Sequence, residues 1–254
     1  MNILFIIFSG LIGLCVGSFL NCLIWRLHKE ESIFGRSYCP HCLKKISWQD
    51  NIPLLSFLIL KGRCRSCQES ISWQYPLVEF FTGLFFVLSF MAVADLPDFP
   101  LLLARSWLLI STFMIVLVYD GRFQMVPMLI VWPMILISAT ISYFLNYAIF
   151  DILIFGVAGT LFFLIQYLAT NKKGIGEGDI WLGLLLGVSF PQLTFLALTL
   201  ILAYFSGTLI SVFLLLTQQK NWKSKIALGP FLSFGAIITI IFGSKIVNWY
   251  LDLF

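Results

Sequence analysis

Charge is scarce in this chain: Asp, Glu, Lys and Arg make up 11% of its 254 residues, against 60% hydrophobic side chains and a mean hydropathy of +0.97. A soluble domain could not cover that much apolar surface. Other absences narrow the class further. No basic residue precedes the first apolar core and no small-residue cleavage site follows it, so this segment is expected to stay as a membrane span, with its charges, Arg26 and Lys29, after it. The basic residues form no DNA- or RNA-binding motif, and the net charge of +4 is distributed over loops, which excludes nucleic acid as a partner. No strand precedes the glycine-rich run 174–178, so it is no dinucleotide fingerprint. No internal repeat and no low-complexity tract is read.

What is present is a series of apolar runs near the 20 residues that cross a hydrocarbon core of about 30 Å. The fold class expected is an all-α polytopic membrane protein with about eight transmembrane helices. Spans are placed at about 3–25, 76–94, 101–119, 126–146, 151–169, 180–190, 193–215 and 228–249. The run 180–190 is too short to cross at about 1.5 Å per residue, so a half-helix or a tilted element is expected there, broken at Pro191-Gln192. Loop 26–75 carries eight Lys/Arg, and Arg122, Lys172, Lys173, Lys220, Lys223 and Lys225 fall in loops on the same side, so 14 of 16 basic residues share one face. Loops 95–100 and 147–150 carry none. The bias places the basic loops in the cytosol and both termini outside. Arg105 and Arg122 are expected to snorkel to the interfaces.

The chain then divides into a first span (1–25), a polar loop domain (26–75) and a membrane-embedded helical bundle (76–254). The loop holds Cys39-Pro-His-Cys42 and Cys64-Arg-Ser-Cys67, two CxxC pairs with 21 residues between them. Four thiolates in that spacing suit a structural, tetrahedral zinc ion that stands in for a hydrophobic core, and a cytosolic location disfavours disulfides. His41 completes nothing that the four cysteines leave open. Cys15 and Cys22, in the first span, are expected to be small apolar packing residues.

Two aspartates lie where a bilayer disfavours them, at roughly 2.5–3.5 kcal/mol each on insertion scales, which makes each a functional candidate. Asp120 ends the apolar run 111–119 and opens a short loop, Asp120-Gly-Arg-Phe-Gln-Met-Val-Pro127, after which Pro127 restarts a helix. Asp179 closes Gly176-Glu-Gly178-Asp179, where the glycines are expected to let the backbone turn sharply and a substrate strand approach. Fifty-nine residues separate the two aspartates, yet the span model puts both at cytosolic ends at similar depth. A pair of carboxylates sharing one water, one ionised and one protonated, is the chemistry of aspartic peptide hydrolysis. An N-terminal helix cap is the structural role open to Asp179. Glu79, near the start of the second span, is either an acid at the interface or a contact for substrate or cofactor. Glu177 is expected to face water.

The motifs together resemble the type IV prepilin peptidases, bifunctional leader peptidase/N-methyltransferases. Gly17-Ser-Phe-Leu-Asn21 and Trp25-Arg-Leu27 are similar to that family's first-span motif. Arg36 to Cys42, Ile46-Ser-Trp48, Asn51 to Ser56, Gly62 to Cys67 and Ile71 to Glu79 are similar to its cytoplasmic zinc domain. Asp120 with Pro127, and Gly176-x-Gly178-Asp179, resemble its catalytic segments, and Ala227-Leu-Gly-Pro-Phe-Leu232 its last-span motif. The resemblance implies Asp120 and Asp179 as the catalytic pair and Cys39, Cys42, Cys64 and Cys67 as the metal ligands. The substrates it implies are prepilins or pseudopilins, cut after a basic leader at the cytoplasmic face of a bacterial plasma membrane, with S-adenosylmethionine as methyl donor for the new N-terminus. Met128, where the family has Asn or Asp, and Trp181, where it has Lys, depart from the pattern. Other readings are a peptidase without methylase activity and a non-enzymatic membrane scaffold or transporter.

Overall fold

A computed structural model describes residues 3–172, 174–218 and 226–253. Lys173, Lys220, Lys223 and Lys225, which enter the orientation argument, lie outside the described residues. The chain forms two compact units, residues 1–94 and 95–254.

The first unit is built on two helices, α1 (Ile3–Lys29) and α3 (Gln74–Val93), which pack along each other. A Cβ at Gly17 would lie 2.7 Å from the Cα of Glu79, so glycine there allows the close crossing. One turn on, Asn21 Nδ2 donates to Tyr75 O at 3.0 Å and seats the start of α3. Arg26 is buried, and its guanidinium donates to the carbonyls of Ile33, Gly35 and Arg36, folding the chain back as it leaves α1. α1 therefore runs four residues past the span read from hydropathy, its last turn serving the loop.

Between these helices the loop contains an internal repeat of 25 residues, which corrects the sequence reading. Cys39-Pro-His-Cys-Leu-Lys-Lys-Ile-Ser-Trp-Gln49 corresponds to Cys64-Arg-Ser-Cys-Gln-Glu-Ser-Ile-Ser-Trp-Gln74. Cys39 N–H donates to Lys44 O at 3.0 Å, and Cys64 N–H donates to Glu69 O at 2.8 Å. Leu43 N–H returns to Cys39 O and Gln68 N–H to Cys64 O, each at 2.9 Å. Leu43 and Gln68 occupy the same left-handed position, φ 57° and 59°. Bridges Tyr38–Lys45 and Arg63–Ser70 close the two knuckles. Only six positions are kept between the two copies, too few for composition to reveal but enough to specify the same turn twice. Each copy then enters helix at Trp-Gln: a 3₁₀ turn, Trp48–Asn51, after the first, and α3 after the second. A five-residue helix, α2 (Leu55–Ile59), lies between them.

The second unit comprises α4 (Phe99–Phe123), α5 (Met128–Phe144), α6 (Ile149–Ala169), α7 (Glu177–Ser189), α8 (Leu193–Leu216) and α9 (Gly229–Leu251). Among the described residues six helices, α1, α3, α4, α6, α8 and α9, are long and apolar enough to cross a membrane. With α5 at 17 residues and α7 at 13, the helices correspond one to one with the eight runs read from the sequence. α7 is about 20 Å long, so it ends short of a full crossing. Its final carbonyls meet partners from within the protein, as backbone at membrane depth requires. Ser142 Oγ donates to Val188 O at 2.9 Å, the Ser138 and Ser189 hydroxyls pair at 2.7 Å, and Arg105 donates to Ser189 O. Arg105 therefore turns inward, against its expected snorkelling, with Tyr147 beneath its guanidinium at 5.9 Å. α7 is pressed against α6 through Gly183 and Gly187 opposite Gly159 and Gly156, positions where added Cβ atoms would run into the facing backbone or side chains.

Candidate active site and metal centre

α4 does not end at Asp120. It continues to Phe123 and closes on Gln124 in the left-handed conformation (φ 53°), whose N–H donates to Asp120 O at 2.8 Å. Asp120 therefore sits in the last helical turn and not in a loop, which corrects the sequence reading, because helical hydrogen bonding outlasts the apolar run. Its side chain is 5% exposed and its Oδ2 accepts the N–H of Gly229, the first residue of α9, at 3.0 Å. A Cβ at Gly229 would fall within contact of that carboxylate, so glycine is what lets the acid approach the helix end.

Asp179 is the third residue of α7 and is 7% exposed. Its Oδ2 accepts the N–H of Gly176, the N-cap, at 3.1 Å, half of a capping box, since glycine has no side chain to return the bond. The capping role open to Asp179 is thus present. Both carboxylates sit at the positive end of a helix dipole and each meets one backbone N–H, an arrangement that holds a buried carboxylate in place.

The two motifs meet through packing. A Cβ at Gly178 would lie 2.5 Å from Val126 Cγ2 and 3.4 Å from Met128 Cε, so the segment following Asp120 packs onto the first turn of α7. The space beside Gly178 belongs to this contact and not to a substrate strand, and neither Gly176 nor Gly178 has the positive φ of a sharp glycine turn. Asp179 lies within electrostatic range of Asp120. Of the two departures, Met128 falls in this contact, and the Trp181 ring meets Trp132 of α5 at 4.7 Å in a tilted pair. Around Asp179, the Tyr204 hydroxyl comes within electrostatic range while donating to Gln166 Oε1 at 2.8 Å. Glu177 is exposed, as expected, and accepts from Tyr167 Oη at 2.7 Å. Gly229, Tyr204 and Gln166 have no role in the sequence reading; Gly229 alone lies in a quoted motif.

Glu79 belongs to the first unit. It is 8% exposed, and its Oε2 accepts the N–H of Leu54 at 2.9 Å, a residue at φ 60° on the approach to α2. That hydrogen bond ties the loop to α3.

The four cysteine sulfurs of the two knuckles lie within 4.8 Å of one another, with Cys39 Sγ and Cys67 Sγ 3.9 Å apart. A tetrahedral metal with bonds of about 2.3 Å sets its sulfurs about 3.8 Å apart, so the cluster fits such an ion. Backbone N–H groups of Cys67 and then Ser66 draw the Cys64 thiol down to about 7, while burial and its three sulfur neighbours push the Cys67 thiol up to about 12. His41 is exposed and outside the cluster.

A bundle of apolar helices with two buried aspartates at helix ends, preceded by a four-cysteine double knuckle, defines a polytopic membrane protein of aspartic-peptidase type. The family model of the Bacterial Peptidase A24 N-terminal domain matches residues 11–93, which lie within the first unit. The chain is 32% identical to the prepilin leader peptidase/N-methyltransferase of Aeromonas hydrophila, over 96% of this chain and 93% of that one. It is 29% identical to the Legionella pneumophila protein of that name (95% and 93%) and 28% to the Pseudomonas aeruginosa one (98% and 94%). No solved structure matches it significantly. The chain belongs to the prepilin leader peptidase/N-methyltransferase family.

Proposed function

We propose that this protein is a membrane aspartic endopeptidase that removes the basic leader from prepilins or pseudopilins and N-methylates the residue it exposes. The observation that carries the reading is the pair of buried carboxylates, Asp120 and Asp179, each fixed at a helix N-terminus, in a chain aligned over nearly its full length with relatives of that name. Each acid is held through Oδ2, and the remaining oxygens serve a shared water. One carboxylate, ionised, takes a proton from that water as its oxygen attacks the scissile carbonyl. The other, protonated, gives its proton to the carbonyl oxygen; as the C–N bond breaks, the departing amine takes the proton that the first carboxyl drew from water, and the hydroxyl of the tetrahedral intermediate returns a proton to the second carboxylate. Gly176, Gly178 and Pro127 support this geometry through packing and helix starts.

The division of labour follows the sequence: 1–25 as first span, 26–75 as a zinc-stabilised loop, and the remainder as the bundle, with both catalytic acids within 95–254. Zinc is the ion that four thiolates select, held by Cys39, Cys42, Cys64 and Cys67, where it would stabilise the fold of the loop. Glu79 acts by positioning that loop. The basic loops orient the chain with loop and active site at the cytoplasmic face of the plasma membrane and both termini outside.

S-adenosylmethionine is the methyl donor this family name implies. An open cleft of ≈ 380 Å³ in the loop is lined by Phe57, Leu58, Lys61, Gly62, Arg63, Ser70, Ile71 and Trp73. That lining holds no acidic side chain for a cationic sulfonium or ammonium group, so the cleft is not assigned to the methyl donor. The function is tested by intact-mass analysis of a full-length prepilin incubated with the protein and S-adenosylmethionine in liposomes. Loss of the leader with gain of one methyl group is the expected result; loss of the leader alone would reduce the protein to a peptidase.

A further inference from the structure

We propose that the cleft beside α2 is a binding site for an anionic phospholipid of the protein's own bilayer, with Lys61 and Arg63 taking the phosphate and Phe57, Leu58, Ile71 and Trp73 taking the acyl region. The depth of α2 is the first argument. The Leu54–Glu79 hydrogen bond of 2.9 Å sets the start of α2 level with the second turn of α3. Glu79 is five residues into α3, roughly 7–8 Å along its axis. At that level α3 already shows Leu77, Phe80 and Phe81 at its surface, exposed by 48%, 49% and 41%. The start of α2 therefore lies beside the end of a span. There it exposes Leu55, Leu58 and Ile59, and Trp73, whose ring meets Phe57 at 5.1 Å, is exposed at the start of α3. An apolar cluster this exposed marks an interaction surface, and an aromatic at the end of a span suits the headgroup level.

Charge chooses the occupant. Lys61 and Arg63 are both exposed at the cleft, and its lining has no acid. Loop 26–75 has eight Lys/Arg and four acids (Glu30, Glu31, Asp50 and Glu69), a surplus of four that equals the net charge of the whole chain. An apolar wall with two cations at its rim matches a phosphate joined to acyl chains and not a cationic ligand. The apolar segment of a prepilin is the competing occupant. The inference rests on the membrane reading and not on catalysis.

The full chain, with the photo-cross-linker benzoylphenylalanine in place of Leu58, is reconstituted in phosphatidylcholine vesicles with and without phosphatidylglycerol and illuminated, and adducts are read by mass. Ile59 serves as a second position and Glu69, on the second knuckle, as the control. Phospholipid adducts are expected at 58 and 59, not at 69, and enriched in phosphatidylglycerol. Lys61→Gln and Arg63→Gln should each lower the phosphatidylglycerol enrichment by a factor of about five, with the phosphatidylcholine yield unchanged. Adding free glycerol phosphate should not compete, since the acyl wall is half of the site. Equal adducts at 58, 59 and 69, no preference for the anionic lipid, or replacement of lipid adducts by an added prepilin peptide would each overturn the proposal. Leader cleavage by the same Lys61 and Arg63 variants, followed separately, reports on the proposed enzyme and leaves the lipid result standing by itself.

Discussion

The Asp120 carboxylate accepts the backbone N–H of Gly229 at 3.0 Å, across 109 residues of sequence, so one catalytic candidate is placed by the N-terminus of α9. Gly229→Ala would drive a methyl group into that carboxylate. Displacing a reacting group by about 1 Å can cost about 10²-fold in rate. Gly229→Ala is therefore expected to lower kcat/KM for leader cleavage by roughly one to two orders of magnitude while the metal content of the loop stays unchanged. Wild-type kcat/KM in this variant would remove Gly229 from the placement of Asp120.

The contact between Gly178 and Val126 predicts a compensating pair. Gly178→Ala overpacks the first turn of α7 against the segment after Asp120, at a cost of about 1–3 kcal/mol. Val126→Ala makes room for the added methyl. The single glycine variant should lose activity and thermal stability in micelles, and Gly178→Ala/Val126→Ala should recover much of both. Additive losses would show that the clash is not the cause.

Arg105 answers the carbonyl at the C-terminal end of the helix whose N-terminal turn holds Asp179. Arg105→Met leaves the Ser189 carbonyl short of a partner, costing about 1–3 kcal/mol. It should lower the unfolding temperature in micelles and reduce cleavage, and Arg105→Lys should restore part of each through a cation near a helix C-terminus. Equal behaviour of the Met and Lys variants would contradict this role.

In the loop, Arg65 donates to Asp50 through Nη2 at 2.7 Å, clasping the second knuckle to the turn after the first. The Arg65 guanidinium holds the Asp50 carboxyl below its ordinary value. A carboxyl depressed in the folded state stabilises above its unfolded pKa of about 3.9 and loses that contribution as pH falls through the lower folded value. Asp50→Asn should therefore release metal to a chelator faster than wild type at neutral pH, by a small factor because the pair is surface-exposed, and the difference should begin to shrink only below about pH 4. In an Arg65→Gln background the Asn substitution should have no further effect. A further loss in that background would contradict the clasp.

Much of the architecture was legible in the sequence because membrane helices announce themselves in long apolar runs. The eight runs correspond to eight helices, and the short α7 was already marked by the eleven residues of 180–190. The cysteines were legible because metal ligation fixes residue type and spacing. Other features were hidden for physical reasons. Asp120 lies in helix because backbone hydrogen bonds carry α4 beyond the last apolar residue. The knuckle repeat is faint in sequence because a turn defined by backbone bonds tolerates Leu43 or Gln68 at the same position. The Gly229 contact and the inward turn of Arg105 join residues far apart in sequence, and no local pattern reports them. For Gly178 the composition was right and the reason was wrong: the space is filled by Val126 and not by substrate.

The most direct test of the account is leader cleavage by Asp120→Asn and Asp179→Asn, each carrying an isosteric amide that keeps the packing. The full-length proteins are reconstituted in liposomes with a prepilin, and the product is followed by intact mass. The account predicts that both variants stay folded, retain their metal and fail to remove the leader. Sustained cleavage by either one would contradict the paired-aspartate site.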